Sequence, residues 1–521
     1  MNKKPALLFI ASTLMSVSLT SCLGGSKPSS SGSINSTSST SSPSSSQTNT
    51  SGTNNSSSTS PSDEKFKSRQ SEFQNVMTET QASYVLPSLG NPKVLVIPVD
   101  FSDFTCSSLS GGCDGARARL EDGFFGERTN NDTVESLTSF YEKSSYGKLH
   151  IEGYVADWYR SPQSASSIVS KSSEDFTTYL DQTLLNGALK AVQSKGVDLS
   201  EYDTDGDGYL DAVWLVYSVH FDPEVSKLSD DNGNFWAYTT WSALEGKFND
   251  CYTGTYAWAS WHFMDEGGYK DHPDMHTFIH ETGHMMGLDD YYNYDSQEAG
   301  VKMTTPAGGL DMMDNNIGDH MAFSKYLLGW ITPKTITSSG DYSLDAFAET
   351  GDALIIAPDS YINSASWEYL ILEYYTPTSL FKEDAENSYC GSYPNFYTEA
   401  GLRVYHVDAR MGLITFDDYG STTFKKYVTD IATELSKVDN NSILYPVASN
   451  TPSYRYVSDD INLVELVSET FNGNRDATNN DLYGNGDTFA RTNFAWHTGE
   501  TSSFSVKVTS VGDKLSLKVT L

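Results

Sequence analysis

The segment HTFIHETGHMMGLDDYY, residues 276–292, constrains this chain more than any other. His276, His280 and His284 stand four residues apart, so on a helix they project from nearly one face. Gly287 suits the positive φ that ends a helix, and Asp289 and Asp290 follow at once. Pro273 and Asp274 suit the first turn of that helix, which the spacing predicts over 273–287. A face of imidazoles either satisfies itself inside a core or converges on a metal ion.

The second reading has a definite chemistry. Zinc takes imidazole nitrogen at about 2.0–2.1 Å, and two histidines one turn apart present two such ligands at once. His280 and His284 have that spacing, with Glu281 between them. A carboxylate placed there can take a proton from an attacking water and pass it to a leaving amine. The bend at Gly287 brings Asp290 to the place of a third ligand, with Asp289 as the alternative or as an outer partner. His276 lacks the adjacent glutamate and the downstream turn, so it is assigned to packing or outer-shell hydrogen bonding.

Elsewhere strands and helices alternate. Lys93–Asp100 (KVLVIPVD) and LDAVWLVYSVH at 210–220 read as buried strands. VESLTSFYEKSSYG at 134–147 and residues 173–195 read as helices, and KLHIEGYVADWY reads as strand. Past residue 335 come YSLDAF, DALIIAP, YLILEYY, GLRVYHVD and a terminal alternating hairpin with a Gly-Asp turn. The fold class expected is mixed α/β (α+β) over 64–335, followed by a β-rich, sandwich-like region over 336–521. The aromatics of YAWASWHFMDEGGYKDHPDMH at 256–276 suit a substrate rim along an edge strand or a core equally well.

A second acidic constellation precedes these. Asp203, Asp205, Asp207 and Asp211 occupy positions 1, 3, 5 and 9 of a calcium-type loop with Gly208 at position 6. Trp214 stands where the bidentate glutamate of position 12 belongs. A structural calcium is expected, its remaining ligands coming from elsewhere.

Residues 1–22 have a basic start, a short apolar run and Cys22 after Leu19-Thr20-Ser21. The pattern resembles a bacterial lipobox, which implies cleavage before Cys22 and lipidation of its thiol. Residues 23–63 are a Ser-, Thr-, Asn- and Gly-rich tether without apolar anchors. The expected location is therefore outside the cytoplasm, held to the membrane through the lipid alone. A formal net charge of −34 repels nucleic acid and anionic headgroups. In an oxidising compartment Cys106 and Cys113 can close a short disulfide loop, leaving Cys251 with Cys390.

HETGHMMGLDD fits HExxHxxGxxD and resembles the metzincin group of zinc endopeptidases. That resemblance implies a methionine turn beneath the metal, and GGLDMMDNN at 308–316 offers Met313, with Met312 as alternate. NPKVLVIPVDFSD, SFYEKSSYGKLHIEGYVADWY, DTDGDGYLDAVWLVYS, NIGDHMAFSKYLLGWITP and GLRVYHVDA resemble more narrowly the M6 peptidases, the immune inhibitor A family. The resemblance implies a secreted or surface-attached zinc endopeptidase with bound calcium, acting on proteins or peptides. One departure is Asn315, where many metzincins carry a tyrosine two residues after the turn methionine. His320, Tyr291 and Tyr292 are the candidates for stabilising the oxyanion instead. A monomer is expected. The rival readings are a non-catalytic surface-binding protein that keeps a metal fold and a zinc hydrolase of non-peptide bonds.

Overall fold

The computed structural model describes residues 84–521 apart from 130–131, 133, 230–232, 242–245, 296–303, 388, 390–393, 418–420, 440, 458–459 and 491–494. The expected leader with Cys22, the tether 23–63 and Cys390 lie outside the described residues.

A parallel sheet forms around β1 (Lys93–Asp100), buried at every position but the first. Its branched side chains pack on both faces, which is why the strand reads as one apolar run. On one side β1 pairs in parallel with β2 (Glu152–Val155) and, further along, β3 (Tyr159–Arg160). On the other it pairs with β4 (Ala212–Tyr217). Then β6 (Thr255–Ser260) pairs in parallel with β4, and β5 (Tyr238–Trp241) runs antiparallel to β6 at the edge.

The two faces of this sheet build separate cores. Val94, Val96, Trp214, Val216 and Ala257 face a cluster that includes α1 (Gly112–Phe125), α2 (Leu137–Ser144) and α3 (His276–Met285). Leu95, Ile97, Leu215, Tyr256 and Trp258 face the helical stretch from Ser173–Tyr179 through Leu180–Leu185 to Asn186–Ser194. The aromatics before α3 go into the core: Tyr256, Trp258, Trp261 and Phe263 are all buried. The helix itself is shorter than 273–287. It begins at His276 after the N-cap Met275, and Asp274, one residue earlier, accepts the His276 N–H at 3.0 Å.

Beyond residue 330 the chain is β-rich. Strands β7 (Lys334–Thr335), β8 (Gly340–Leu344), β9 (Ala353–Ile356), β10 (Glu368–Tyr375) and β11 (Gly401–Asp408) follow in sequence. A small sheet of β12 (Met411–Phe416), β13 (Thr422–Tyr427) and β14 (Ser442–Pro446) comes next. Then come β15 (Val464–Leu466), β16 (Thr488–Ala490), β17 (Ser505–Ser510) and β18 (Leu515–Thr520). One sheet has the order β15-β11-β10-β9-β7, and another β8-β18-β17-β16.

Period-2 alternation splits the five-stranded sheet cleanly. Ile355, Tyr369, Ile371, Tyr405 and Val407 enter the core that surrounds α3. Leu354, Leu370, Leu372, Leu402 and Val404 face the other way, onto Phe489, Val506, Leu515 and Leu517. Residues from both sides of position 335 thus share the core behind α3.

Cys106 and Cys113 are bonded, Cα to Cα 4.7 Å. The expected partnership of Cys251 is corrected: Cys251 is a buried free thiol. Its Sγ lies 3.5 Å from Asp203 Oδ2, in the core of the helical face. Tyr389, next in sequence to Cys390, packs instead against His276 at the start of α3.

Candidate metal centre

Helix α3 carries His280 and His284 one turn apart, and both rings are oriented by backbone carbonyls. His280 Nδ1 stands 2.8 Å from Met312 O, and His284 Nδ1 stands 2.7 Å from Leu288 O. A carbonyl oxygen only accepts, so the ring proton belongs on Nδ1 and Nε2 presents its lone pair. The helix end supplies the turn. Gly287, at φ 101°, bends the chain, and Leu288 N donates to Gly283 O at 3.2 Å. Asp290 then returns under the helix, with Oδ1 3.0 Å from His280 Nε2 and 3.3 Å from His284 Nε2.

Three acceptor atoms meet here in a largely buried place. Asp290 Oδ1 has no hydrogen directed at it. Two imidazole lone pairs and a carboxylate oxygen repel one another unless a cation lies between them. The residues present therefore fit a divalent ion, and the donor set of two imidazoles and one carboxylate suits zinc. Without the ion the group adjusts electrostatically. Burial opposes charge throughout, yet the Asp290 carboxylate holds both histidines above their usual range and is itself held far below its own.

Asp289 turns away from this point and accepts Tyr445 Oη–H at 3.1 Å. The other oxygen of Asp290 accepts Tyr294 Oη–H, and Tyr292 Oη is 3.2 Å from Tyr294 Oη. Burial raises the Glu281 carboxyl, the two histidines beside it working the other way. Thr239 Oγ1, from the edge strand β5, stands 2.9 Å from Glu281 O and 3.0 Å from Glu281 Oε2. His276 stays out of the group: it packs edge-on against Tyr389, and burial lowers it to about 3.

Met313 lies against the back of α3. A Cβ at Gly283 would stand 2.4 Å from Met313 Sδ, so glycine at 283 is what lets the thioether approach between the two histidine turns. Asp311 builds the turn, accepting Met313 N at 2.8 Å, Met321 N at 2.7 Å and Ser324 Oγ at 2.8 Å. His320 is corrected as an oxyanion candidate. It is fully buried, 3.1 Å from Asp311 through Nδ1, among Phe140, Tyr141 and Trp330. Tyr291 is likewise bound to Ser324, at 2.9 Å, leaving Tyr292 as the candidate phenol beside the centre.

In the acidic loop, Asp203, Asp205 and Asp207 each bring an oxygen within 4.8 Å of the others. Asp211 does not join them. Its oxygens accept Lys93 N at 2.9 Å, Thr204 N at 3.1 Å and Thr204 Oγ1 at 2.6 Å, which staples the loop to β1. Burial and mutual repulsion raise Asp207 to about 7.

Sequence reasoning passed over Thr239, Tyr294 and Tyr445. Tyr294 sits four residues past Asp290 in a tyrosine-rich turn and was open to notice; Thr239 and Tyr445 reach the site only through tertiary packing.

Residues 88–212 match the family of the immune inhibitor A peptidase M6 catalytic domain. The M6 resemblance is thereby supported from β1 to the first residue of β4, upstream of α3. No curated protein matches the chain. Among solved structures, wild type OgpA from Akkermansia muciniphila aligns at 10% identity over 83% of this chain and 92% of that chain, with a TM-score of 0.21. So low a score carries no argument about fold or function.

Proposed function

We propose that this chain, an M6-type metallopeptidase by the match over residues 88–212, is a zinc endopeptidase that hydrolyses peptide bonds of extracellular proteins. The observation that carries the reading is the convergence of His280 Nε2, His284 Nε2 and Asp290 Oδ1, with Glu281 beside them. Bound there, zinc would supply Lewis acidity, polarising a carbonyl oxygen and acidifying a water. The protein's own groups do the rest. Glu281, raised by burial, takes the proton of the attacking water and returns it to the leaving amine. Thr239 orients that carboxylate, Tyr294 holds Asp290 by its outer oxygen, and Tyr292 is the phenol available to the developing oxyanion.

Met313 under α3 and the antiparallel edge strand β5 support a metzincin-like arrangement. Along β5 a peptide can add as a further strand. The pair of sheets sharing Leu370, Val404, Val506 and Leu517 supports a sandwich-like C-terminal region. The acidic loop is proposed to hold calcium on Asp203, Asp205 and Asp207; Asp203 Oδ1 is buried without a hydrogen-bond partner. Thermal unfolding in millimolar calcium against chelator tests that, and coincident curves refute it. No described helix is long and apolar enough to cross a membrane. Location outside the cytoplasm and attachment through Cys22 rest on the sequence pattern, and the monomer stays an expectation.

The decisive experiment is a Glu281→Ala variant assayed on an unfolded protein substrate, with zinc measured in both proteins. The variant should keep its zinc and lose on the order of 10²–10⁴ in rate. Equal cleavage by variant and parent removes Glu281 from the mechanism. Absence of cleavage by either favours a binding protein.

A further inference from the structure

A second group of histidines and carboxylates lies in the C-terminal region. We infer that Glu368, His406 and His497 form a second divalent-cation site, of the zinc class, which ties the segment around Trp496 to the five-stranded sheet.

The register of the sheet assembles it. Glu368 of β10 pairs with Asp408 of β11, and His406 pairs with Glu465 of β15. Residues opposite one another, or two apart, share a face. Glu368, His406, Asp408 and Glu465 therefore project from one face, the one turned towards Trp496. His497 arrives from outside the sheet, its ring 4.7 Å from that of His406. Glu368, His406 and His497 each offer one ligand atom, all within 4.8 Å of one another. Two imidazoles and one carboxylate is the donor set already met at α3.

The outer shell of His406 has the form that a metal-bound histidine requires. His406 Nδ1 faces Glu465 Oε1 at 3.2 Å, while its Nε2 faces Glu368 Oε1 at 3.0 Å. A carboxylate that takes the Nδ1 proton fixes the tautomer with Nε2 towards the ion. His497 Nδ1 lies between two carboxylates, 3.0 Å from Asp408 Oδ2 and 3.9 Å from Glu368 Oε1, and Arg410 holds Asp408 at 2.8 and 2.6 Å. Glu368 is oriented by the backbone N–H groups of His497 at 2.5 Å and Thr498 at 2.8 Å.

Charge points the same way. Glu368, Glu465 and Asp408 bring three negative charges, and among the described residues Arg410, paired with Asp408, is the permanent cation against them. Among the described residues two negative charges then remain, with Glu368 and Asp408 fully buried, His406 nearly so and Glu465 partly exposed. One divalent ion with both rings neutral balances them, and imidazole ligands favour zinc over calcium or magnesium. Two protonated rings would balance them as well, and that is the competing outcome.

Metal counting separates the two. The purified full chain is saturated with zinc in millimolar calcium, which occupies the acidic loop, dialysed, and analysed for zinc per chain. The expected values are two for the parent and one each for His284→Ala and His497→Ala. Glu465→Gln, which leaves all three proposed ligands in place, should weaken the second ion 10–100-fold in competition with a chromophoric chelator. One zinc in the parent, retained in His497→Ala and absent from His284→Ala, overturns the inference and makes the cluster an ion-pair network. Failure of the α3 site is distinct: His284→Ala would then match the parent. Should His497→Ala not fold, His284→Ala decides alone, because a retained zinc supports the second site and none refutes it.

Discussion

The two histidine–carboxylate clusters use the same donors and opposite architectures. At α3 the ligands come from one helix and the turn that ends it, residues 280 to 290, and the outer groups on Nδ1 are neutral carbonyls. In the C-terminal sheet they come from β10, β11 and the segment at 497, and the outer groups are carboxylates. A neutral outer shell leaves the first site with Asp290 as its one charged group in the proposed ligand set, beside Glu281, the proposed base. An anionic outer shell makes the second site more basic and better neutralised, with backbone N–H groups closing round Glu368. The first arrangement suits chemistry, since a catalytic zinc needs an open place for water or substrate. The second suits cross-linking of chain segments.

The sharpest test of this contrast is loss of a ligand from each. His284→Ala should reduce cleavage of an unfolded protein to background and leave the thermal midpoint little changed. His497→Ala should act in the other direction, lowering the midpoint by several degrees. A ΔΔG of 1 kcal/mol shifts a domain of 150–250 residues by roughly 2–4 °C. Unfolding curves and progress curves on both variants check it. If His497→Ala leaves the midpoint untouched, the sheet cluster is not a cross-link.

Outer-shell changes should be smaller and specific to their own site. Tyr294→Phe removes the donor to Asp290 Oδ2. Affinity at the α3 site should fall about 10–100-fold, with a parallel loss of activity at limiting zinc that excess zinc restores. The second ion should be held as before. Activity that excess zinc does not restore would place Tyr294 in the chemical step instead.

The same contrast explains what could be read before any coordinates. Spacing of i and i+4 is a local code, and a glycine that must adopt positive φ announces the turn, so His280, His284 and Asp290 stand out in the chain. β1 and β4 are legible for a related reason, each being a nearly continuous apolar run, and β10 and β11 are legible as strand-like runs between turns. Glu368, His406 and His497 are separated by tens of residues, and only strand register brings them together. The segments holding Glu368 and His406 read as strands, yet nothing in a single strand says which neighbour it will meet. His320 was misplaced for the converse reason. Its motif lies near the Met turn in sequence, but burial among Phe140, Tyr141 and Trp330 removes it from the cleft. Asp211 fits the loop spacing, yet the free N–H of Lys93 at the start of β1 claims its carboxylate.

The smallest effect expected is at Thr239, where strand and helix meet. Its hydroxyl has one hydrogen and two acceptors, Glu281 O at 2.9 Å and Glu281 Oε2 at 3.0 Å. Donation to Oε2 fixes the carboxylate that must receive a proton, and donation to the carbonyl ties β5 to α3. Thr239→Val keeps the shape and removes both options. A hydrogen bond to a charged group contributes about 1.5–3 kcal/mol, and part of it is present equally in ground and transition states. The expected loss is therefore about tenfold in kcat, with zinc content unchanged and KM moved little. Thr239→Ser, which retains the hydroxyl, should recover most of the rate. Loss in the Ser variant with the rate kept in the Val variant would mean that the methyl group, packing β5 on α3, matters rather than the hydrogen bond. Thr239 would then shape the edge strand and leave the orientation of Glu281 to the helix alone.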